Sequence, residues 1–197
     1  MDARNGLVIA VCLVAMVTDG RWHRIPNWLT FPAIAAGFIV NTVGSGWEGF
    51  AHSVAGVGIA ALLTVPLFAA GFIKAGDVKL VAVWGAVKGV ASPLLQTFVL
   101  WAFLYGAVIG GIIAVMLLAR KRAWGALGRQ MRAAGTSLLG MLLPVPPQAA
   151  QAPNRWGDTT TDGLQMPFPY GIALCLGALL ALACEWGRGQ PFPLLNG

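Results

Sequence analysis

The chain contains, from Leu94 to Ala119, the stretch LLQTFVLWAFLYGAVIGGIIAVMLLA, in which no residue is charged. A helix of about 20 apolar residues crosses the hydrocarbon core of a bilayer, because each residue advances about 1.5 Å. This stretch is therefore predicted to span a membrane. Across the whole chain 57% of residues are hydrophobic and 10% are charged, a composition outside the range of soluble globular domains.

Outward from this stretch, apolar segments predict five further helices. They lie at about Asn5–Asp19, Asn27–Val43, His52–Ile73, Val78–Ala91 and Pro167–Cys184. The first segment is expected to be retained rather than removed as a secretory signal, since its start lacks net positive charge and no small-residue cleavage site follows it. We predict an all-α polytopic membrane protein, a bundle of about six transmembrane helices that forms one domain over residues 1–197.

The region from about residue 120 to 166 is polar and divides into two parts. Up to about Leu143, basic residues are interleaved with apolar ones such as Trp124 and Met131, which is typical of an amphipathic helix at a membrane surface. The following part is rich in Pro, Gln, Ala and Thr. Because it has few apolar anchors, we expect a flexible cytoplasmic loop there.

The distribution of Lys and Arg indicates the orientation, because cytoplasmic loops retain positive charge. With the N-terminus outside, Arg4, Lys88 and Arg188 are the basic residues on the outer side. The other ten of the 13 fall in cytoplasmic segments: Arg21, Arg24, Lys74, Lys79, Arg120, Lys121, Arg122, Arg129, Arg132 and Arg155. This topology and the attraction to anionic lipid headgroups explain the net charge of +6, so the expected partner is lipid and not nucleic acid.

Several classes of site are disfavoured. The three cysteines, Cys12, Cys175 and Cys184, lie in apolar segments without a Cys-x-x-Cys pair and are expected to be packing residues. His23 and His52 are isolated, so no metal-ligand spacing is present, and no metal or cofactor is predicted. No serine stands in the Gly-x-Ser-x-Gly setting of an activated nucleophile.

Two of the seven acidic residues, Asp19 and Asp77, stand where apolar segments end or begin, both on the predicted cytoplasmic side. A carboxylate beside hydrocarbon is costly, which favours a functional role. The structural alternatives are an N-terminal helix cap for Asp77 and an interfacial ion pair with Arg21 or Arg24 for Asp19. Together the two carboxyls could hydrolyse a peptide bond. That reaction needs one ionised group to take a proton from water and one protonated group to polarise the carbonyl.

The residues around both aspartates carry a family resemblance. Asp19 to Thr30, DGRWHRIPNWLT, resembles the first signature of the type IV prepilin peptidases, an aspartate followed by Arg and then Ile-Pro-Asn. Ala75 to Leu80, AGDVKL, is similar to their second signature, Gly-x-Gly-Asp-x-Lys-Leu. The tripeptide Pro169-Tyr170-Gly171 resembles the small members that serve tight-adherence (Flp-type) pili. The resemblance covers most of the chain up to Ala119 and the last apolar segment.

That resemblance implies an intramembrane aspartic peptidase of the bacterial inner membrane in which Asp19 and Asp77 are the catalytic pair. The reaction would be cleavage of a short basic leader, after a glycine, from prepilins or pseudopilins at the cytoplasmic face. Two departures from the family pattern are present. Lys74 stands at the first glycine of the second signature. The Cys-x-x-Cys region of bifunctional members is lacking, so no methyltransferase activity is expected.

The remaining signature residues have structural interpretations beside supporting ones. Gly76 would let the backbone approach a neighbouring helix closely. Pro26 and Asn27 are expected to turn the chain, with Asn27 available as the cap of the next helix. Arg21 and Lys79 are expected to be membrane-surface anchors, or alternatively to tune the aspartates or meet an acidic residue of the substrate.

Two other functions stay open on the sequence alone. A non-proteolytic carrier, or a pilus or secretion assembly factor, could use Asp19, Asp77, Lys74 and Lys79 as a charge relay within the bundle. Transporters place such charges at the membrane midplane, whereas the acidic residues here lie near predicted interfaces. The third possibility is a structural scaffold. No oligomeric state is predicted.

Overall fold

The computed structural model describes residues 2–22, 24–90, 94–121 and 170–188. They form five α-helices and a 3₁₀ turn at Leu94–Gln96. The helices are α1 (Ala3–Trp22), α2 (Asn27–Ala69), α3 (Ala75–Lys88), α4 (Phe98–Lys121) and α5 (Tyr170–Arg188). No strand occurs in these ranges. The prediction of an all-α protein is therefore confirmed.

Four of these helices, α1, α2, α4 and α5, are long and apolar enough to cross a membrane, as in a multi-pass membrane protein. This number is below the six that the sequence predicts. The second and third predicted helices belong to one bent element, α2. The fourth corresponds to α3, whose 14 residues rise about 21 Å and are too short to cross the hydrocarbon alone.

The helix α2 is bent at Ser45 and Gly46, where the backbone leaves the helical region and Gly46 has a φ of 61°. A positive φ of this kind is accessible to glycine because it has no Cβ. A straight helix would separate Asn41 from Ser53 by about 18 Å. Instead, Asn41 Nδ2 donates to Ser53 Oγ at 2.7 Å. The two arms of α2 therefore fold back on each other around the bend.

The short helix α3 packs against both arms of α2. A methyl group placed on Gly56 would collide with the carbonyl oxygen of Gly85, so the two backbones touch at this point. In the last turn of α3, the carbonyl oxygen of Ala86 accepts hydrogen bonds from Asn41 Nδ2 and Ser53 Oγ, both at 2.8 Å. These contacts satisfy a carbonyl that has no partner within its own helix. They hold α3 in the interior although it is too short to span.

The helix α5 packs against α4 and α1. At the α4–α5 crossing, a methyl group on Gly177 would collide with the backbone nitrogen of Gly106. Cys12 of α1 and Cys175 of α5 are free and fully buried, as expected of packing residues, whereas Cys184 is partly exposed. Most core residues have small or β-branched side chains, which allow close helix packing, and Trp84 is the largest fully buried side chain.

Polar groups tie three helices together at one end of the bundle. Lys88 Nζ, at the end of α3, donates to Asn5 Oδ1 of α1 at 2.7 Å and to the Glu185 carboxylate of α5 at 2.7 and 2.8 Å. We call this the lysine end. The opposite, aspartate end holds the end of α1 and the starts of α3 and α5, with Asp19 and Asp77 among their residues.

The predicted amphipathic surface helix and the Pro-rich loop lie, from residue 122 onward, outside the described residues. The chain leaves α4 at Lys121 and enters α5 at Tyr170. The organisation of residues 1–197 as a single domain stays a prediction.

Candidate active site

Asp19 lies in the last turn of α1 and is buried, with 4% of its surface exposed. The C-terminal end of a helix carries partial negative charge, which disfavours a carboxylate there. A contact from another helix offsets this effect, because the backbone N–H of Ile172, in the first turn of α5, donates to Asp19 Oδ2 at 3.2 Å. The expected alternative of a surface ion pair does not fit, since Arg21 and Arg24 are exposed while Asp19 is buried.

Asp77 is the third residue of α3 and is 2% exposed. Its Oδ2 accepts the backbone N–H of Lys74 at 3.0 Å, so it stabilises the start of α3. The expected role as N-terminal cap is corrected, because Lys74 is the N-cap residue and Asp77 is the N3 residue of a capping box. Burial raises the pKa of Asp77 from its ordinary value of 3.8 to about 6. The Lys74 N–H opposes this rise in pKa, the nearby carboxylate of Asp19 adds to it, and the Lys74 ammonium opposes it.

The two aspartates thus come from different helices and share one buried end of the bundle. Their charges interact, and the two carboxyls are disfavoured from ionising together. In such an arrangement one carboxyl can stay protonated beside an ionised neighbour. The pair can therefore supply an acceptor and a donor of protons to one reacting centre, the requirement set out for peptide hydrolysis.

The residues between α1 and α2 pack directly onto the start of α3. A methyl group on Gly76 would lie 3.2 Å from Ile25 Cβ, so glycine permits this close approach. Pro26 is the N-cap residue of α2, with extended backbone, and makes no side-chain cap bond. The expectation that Asn27 caps α2 is wrong, because its Oδ1 instead accepts a hydrogen bond from Lys79 Nζ at 2.8 Å. The two signature motifs therefore contact each other across α2 and α3.

The basic signature residues point to neighbours other than the carboxylates. The Arg21 guanidinium lies 5.8 Å from the centre of the Trp22 ring. Lys79 Nζ lies 5.2 Å from the centre of the Phe31 ring, in addition to its bond with Asn27. These contacts agree with anchoring and with packing of α3 on α2. Lys74, at the departure from the family pattern, is the N-cap residue of α3 and has an exposed side chain.

The start of α5 is the part of this site that the sequence did not assign. Gly171 packs on Asp19, since a methyl group placed on it would lie 2.7 Å from Asp19 Oδ2. Tyr170 interacts electrostatically with Asp77. The Pro169-Tyr170-Gly171 motif pointed to this segment without giving it a role. In the described residues, no group of three His, Cys, Asp or Glu side chains could hold a metal ion.

Comparison with known proteins identifies the family. Neither a curated protein nor a solved structure shows significant similarity to the chain. The family model for the type IV leader peptidase family matches residues 6–128. That match covers more than half of the chain and includes Asp19, Asp77 and the contacts between the two signature motifs. The chain therefore belongs to the type IV leader peptidase family.

Proposed function

We propose that this protein is an aspartic endopeptidase that removes the short basic leader peptide from type IV prepilins of the Flp type. The main observation in support of this proposal is the pair of buried carboxyls, Asp19 and Asp77, which belong to different helices and interact through their charges. The family match supports peptidase activity on type IV leaders. The Flp-type substrate is supported by the Pro169-Tyr170-Gly171 resemblance alone.

In the proposed reaction, the ionised carboxylate of the pair takes a proton from water while the protonated carboxyl donates a hydrogen bond to the scissile carbonyl oxygen. The water oxygen bonds to the carbonyl carbon and forms a tetrahedral intermediate. The C–N bond then breaks as a proton is delivered to the leaving nitrogen. The two carboxyls exchange protonation states during this cycle, so no metal or cofactor has to supply charge.

The proposed location is the inner membrane, with the N-terminus outside and the aspartate end toward the cytoplasm. Arg21, Arg24, Lys74 and Lys79 lie at the aspartate end, close to the helix termini. Positive charge of this kind is retained on the cytoplasmic side. A leader that remains in the cytoplasm before cleavage would reach the pair from the same side.

A gel-shift assay with a leader-bearing prepilin tests the proposal. The prepilin is co-expressed with wild type, Asp19→Asn or Asp77→Asn protein, and the membrane level of each is measured. The matched control is Asp2→Asn, because Asp2 is exposed at the start of α1. We expect both active-site variants to lose cleavage at normal abundance and the control to cleave as wild type does.

The same assay separates the peptidase from the carrier or assembly factor. Unchanged cleavage in Asp19→Asn or Asp77→Asn would remove that residue from the mechanism. Absence of cleavage by wild type, across several prepilins and pseudopilins, would favour the carrier. A charge relay would also tolerate Asp→Glu more readily than a peptidase, whose two carboxyls must reach one peptide bond.

A further inference from the structure

The first turn of α5 lies against the aspartate pair, but the two-carboxyl mechanism assigns no role to its residues. We propose that residues 170–172 form a third component of the active site. In this arrangement the Ile172 N–H positions the Asp19 carboxylate, and Gly171 is required because that carboxylate fills the space of a side chain. The proposal rests on the proposed function and names positioning residues for the same reaction.

The donor is available because of its place in the helix. Ile172 is the third residue of α5, and the first four N–H groups of an α-helix have no partner within the helix. A partly buried N–H of this kind gains from a protein acceptor. Asp19 Oδ2 supplies one at 3.2 Å. The bond therefore fixes the orientation of the carboxylate without removing a hydrogen bond from α5.

The lack of space beside Gly171 also indicates that α5 positions Asp19, independently of the hydrogen bond. A methyl group on Gly171 would lie 2.7 Å from Asp19 Oδ2, 2.9 Å from Cγ and 3.2 Å from Cβ. Non-bonded carbon atoms prefer separations of about 3.5 to 4.0 Å, so any side chain at this position would displace the carboxylate. The same turn also lies next to α1 beyond Asp19, because a methyl group on Gly20 would be 3.6 Å from Ile172 Cδ1.

The turn also faces the second carboxyl. Tyr170 interacts electrostatically with Asp77, so consecutive residues of α5 approach both members of the pair. The function of α5 in this arrangement is to set where Asp19 stands relative to Asp77. A displacement of about 1 Å at a catalytic group lowers the rate on the order of 100-fold. Fixing the Asp19 carboxylate is therefore a requirement for turnover.

The hydrogen bond is tested by comparing Ile172→Pro with Ile172→Ala in detergent-solubilised protein. Proline removes the N–H and is tolerated in the first turn, where no helical bond is lost. Alanine removes the side chain but keeps the N–H. We expect kcat of Ile172→Pro to fall by about tenfold to 100-fold with KM within about twofold, as for loss of a hydrogen bond to a charged group. Ile172→Ala is expected to retain kcat within about threefold.

The steric requirement is tested by Gly171→Ala against Gly187→Ala, on the same helix, where an added methyl group meets nothing within 4 Å. Both changes raise helix propensity, so helix propensity cannot explain a difference between them. We expect Gly171→Ala to lose activity by about 100-fold at wild-type abundance and thermal stability. Gly187→Ala is expected to cleave as wild type does.

A pH profile distinguishes positioning from simple loss of folded protein. Loss of the Ile172 N–H removes a donor to the ionised carboxylate, so the acid limb of the cleavage profile should move to higher pH. The other groups in electrostatic contact with the pair, Lys74, Tyr170 and Cys175, are unchanged. A reduced folded fraction would scale the profile without moving it.

The outcomes separate this inference from the proposed function. Wild-type kcat and an unmoved profile in Ile172→Pro, with Asp19→Asn and Asp77→Asn inactive, would overturn the role of α5 and leave the peptidase intact. Full activity of Gly171→Ala would equally overturn the steric requirement. Cleavage that survives in Asp19→Asn would instead overturn the proposed function.

Discussion

Removing Glu185 is predicted to destabilise the protein more than removing its partner Lys88. The Lys88 side chain is 9% exposed and that of Glu185 is 31% exposed. Three acceptor oxygens surround Lys88 Nζ, two from Glu185 and one from Asn5, at 2.7 to 2.8 Å. The Phe98 ring centre lies 4.9 Å from the same nitrogen. The ammonium is therefore almost wholly desolvated, whereas water reaches the carboxylate.

The different exposures of Lys88 and Glu185 determine how much each substitution is expected to lower the free energy of unfolding. Glu185→Leu leaves a buried ammonium with Asn5 Oδ1 as a hydrogen-bond acceptor but no carboxylate partner, and breaking a buried pair in this way costs about 3 to 5 kcal/mol. Lys88→Met keeps the apolar stem and leaves a carboxylate that water can solvate, at a cost of about 1 to 2 kcal/mol. The double variant buries no unpaired charge, and its stability is expected within about 1 kcal/mol of wild type.

The assay is equilibrium unfolding in mixed detergent micelles, with the midpoint and slope measured for each variant. Lys79→Met is the matched control, because Lys79 makes a comparable bond to Asn27 at an exposed position and should change the free energy of unfolding by less than about 1 kcal/mol. The reasoning is refuted if Lys88→Met is as costly as Glu185→Leu. It is also refuted if the double variant is as unstable as Glu185→Leu.

Three further predictions concern α3 and its packing. Asp77→Asn should be more stable than wild type by up to about 3 kcal/mol at pH 8 but not at pH 4. Because the pKa of Asp77 is raised to about 6 in the folded protein, its bound proton stabilises the fold below pH 4, and this contribution is lost as pH rises through 6. Thermal unfolding at both pH values measures the difference in stability. Gly56→Ala should cost at least about 2 kcal/mol because its methyl group would meet the Gly85 backbone, whereas Gly58→Ala, with nothing within 4 Å, should not destabilise. Asn41→Leu removes donors to Ala86 and Ser53 and should cost about 1 to 3 kcal/mol in detergent unfolding.

Hydropathy predicts the helical class because each membrane-spanning helix requires a continuous run of about 20 apolar residues, which is visible in the sequence. It could not predict the shape of α2. The bend at Ser45 and Gly46 is marked by one glycine with positive φ, and the arms are joined by the Asn41–Ser53 bond, which links residues far apart in the chain. Nor does hydropathy distinguish a short spanning helix from a short buried one. The burial of α3 depends on glycines of α2 that only the three-dimensional packing brings together.

The candidate pair could be named from the sequence because acidic residues are rare in this chain and each stands beside a family signature. The contribution of α5 could not, since Gly171 and Asp19 are distant in sequence and the decisive group, the Ile172 N–H, is a backbone atom that every residue except proline carries. The sequence predicts the wrong partner for the Asn27 side chain for a related reason. The Asn27 side chain could accept a hydrogen bond either from the N–H groups at the start of α2 or from Lys79, and tertiary packing places it against Lys79.

The helices that meet at the lysine end also carry the groups at the aspartate end. A rise of about 1.5 Å per residue separates Asn5 from Asp19 by about 21 Å, Lys88 from Asp77 by about 17 Å, and Glu185 from Ile172 by about 20 Å. These lengths agree within one helical turn, so the lysine cluster fixes α1, α3 and α5 in the register that lets their other ends meet. Buried ion pairs add little net stability over apolar packing but can specify one arrangement over its neighbours. A shift of α3 by one turn would move Asp77 by about 5 Å relative to Asp19. We therefore expect the Lys88 cluster to influence the spacing of the two aspartates through the rigidity of α3.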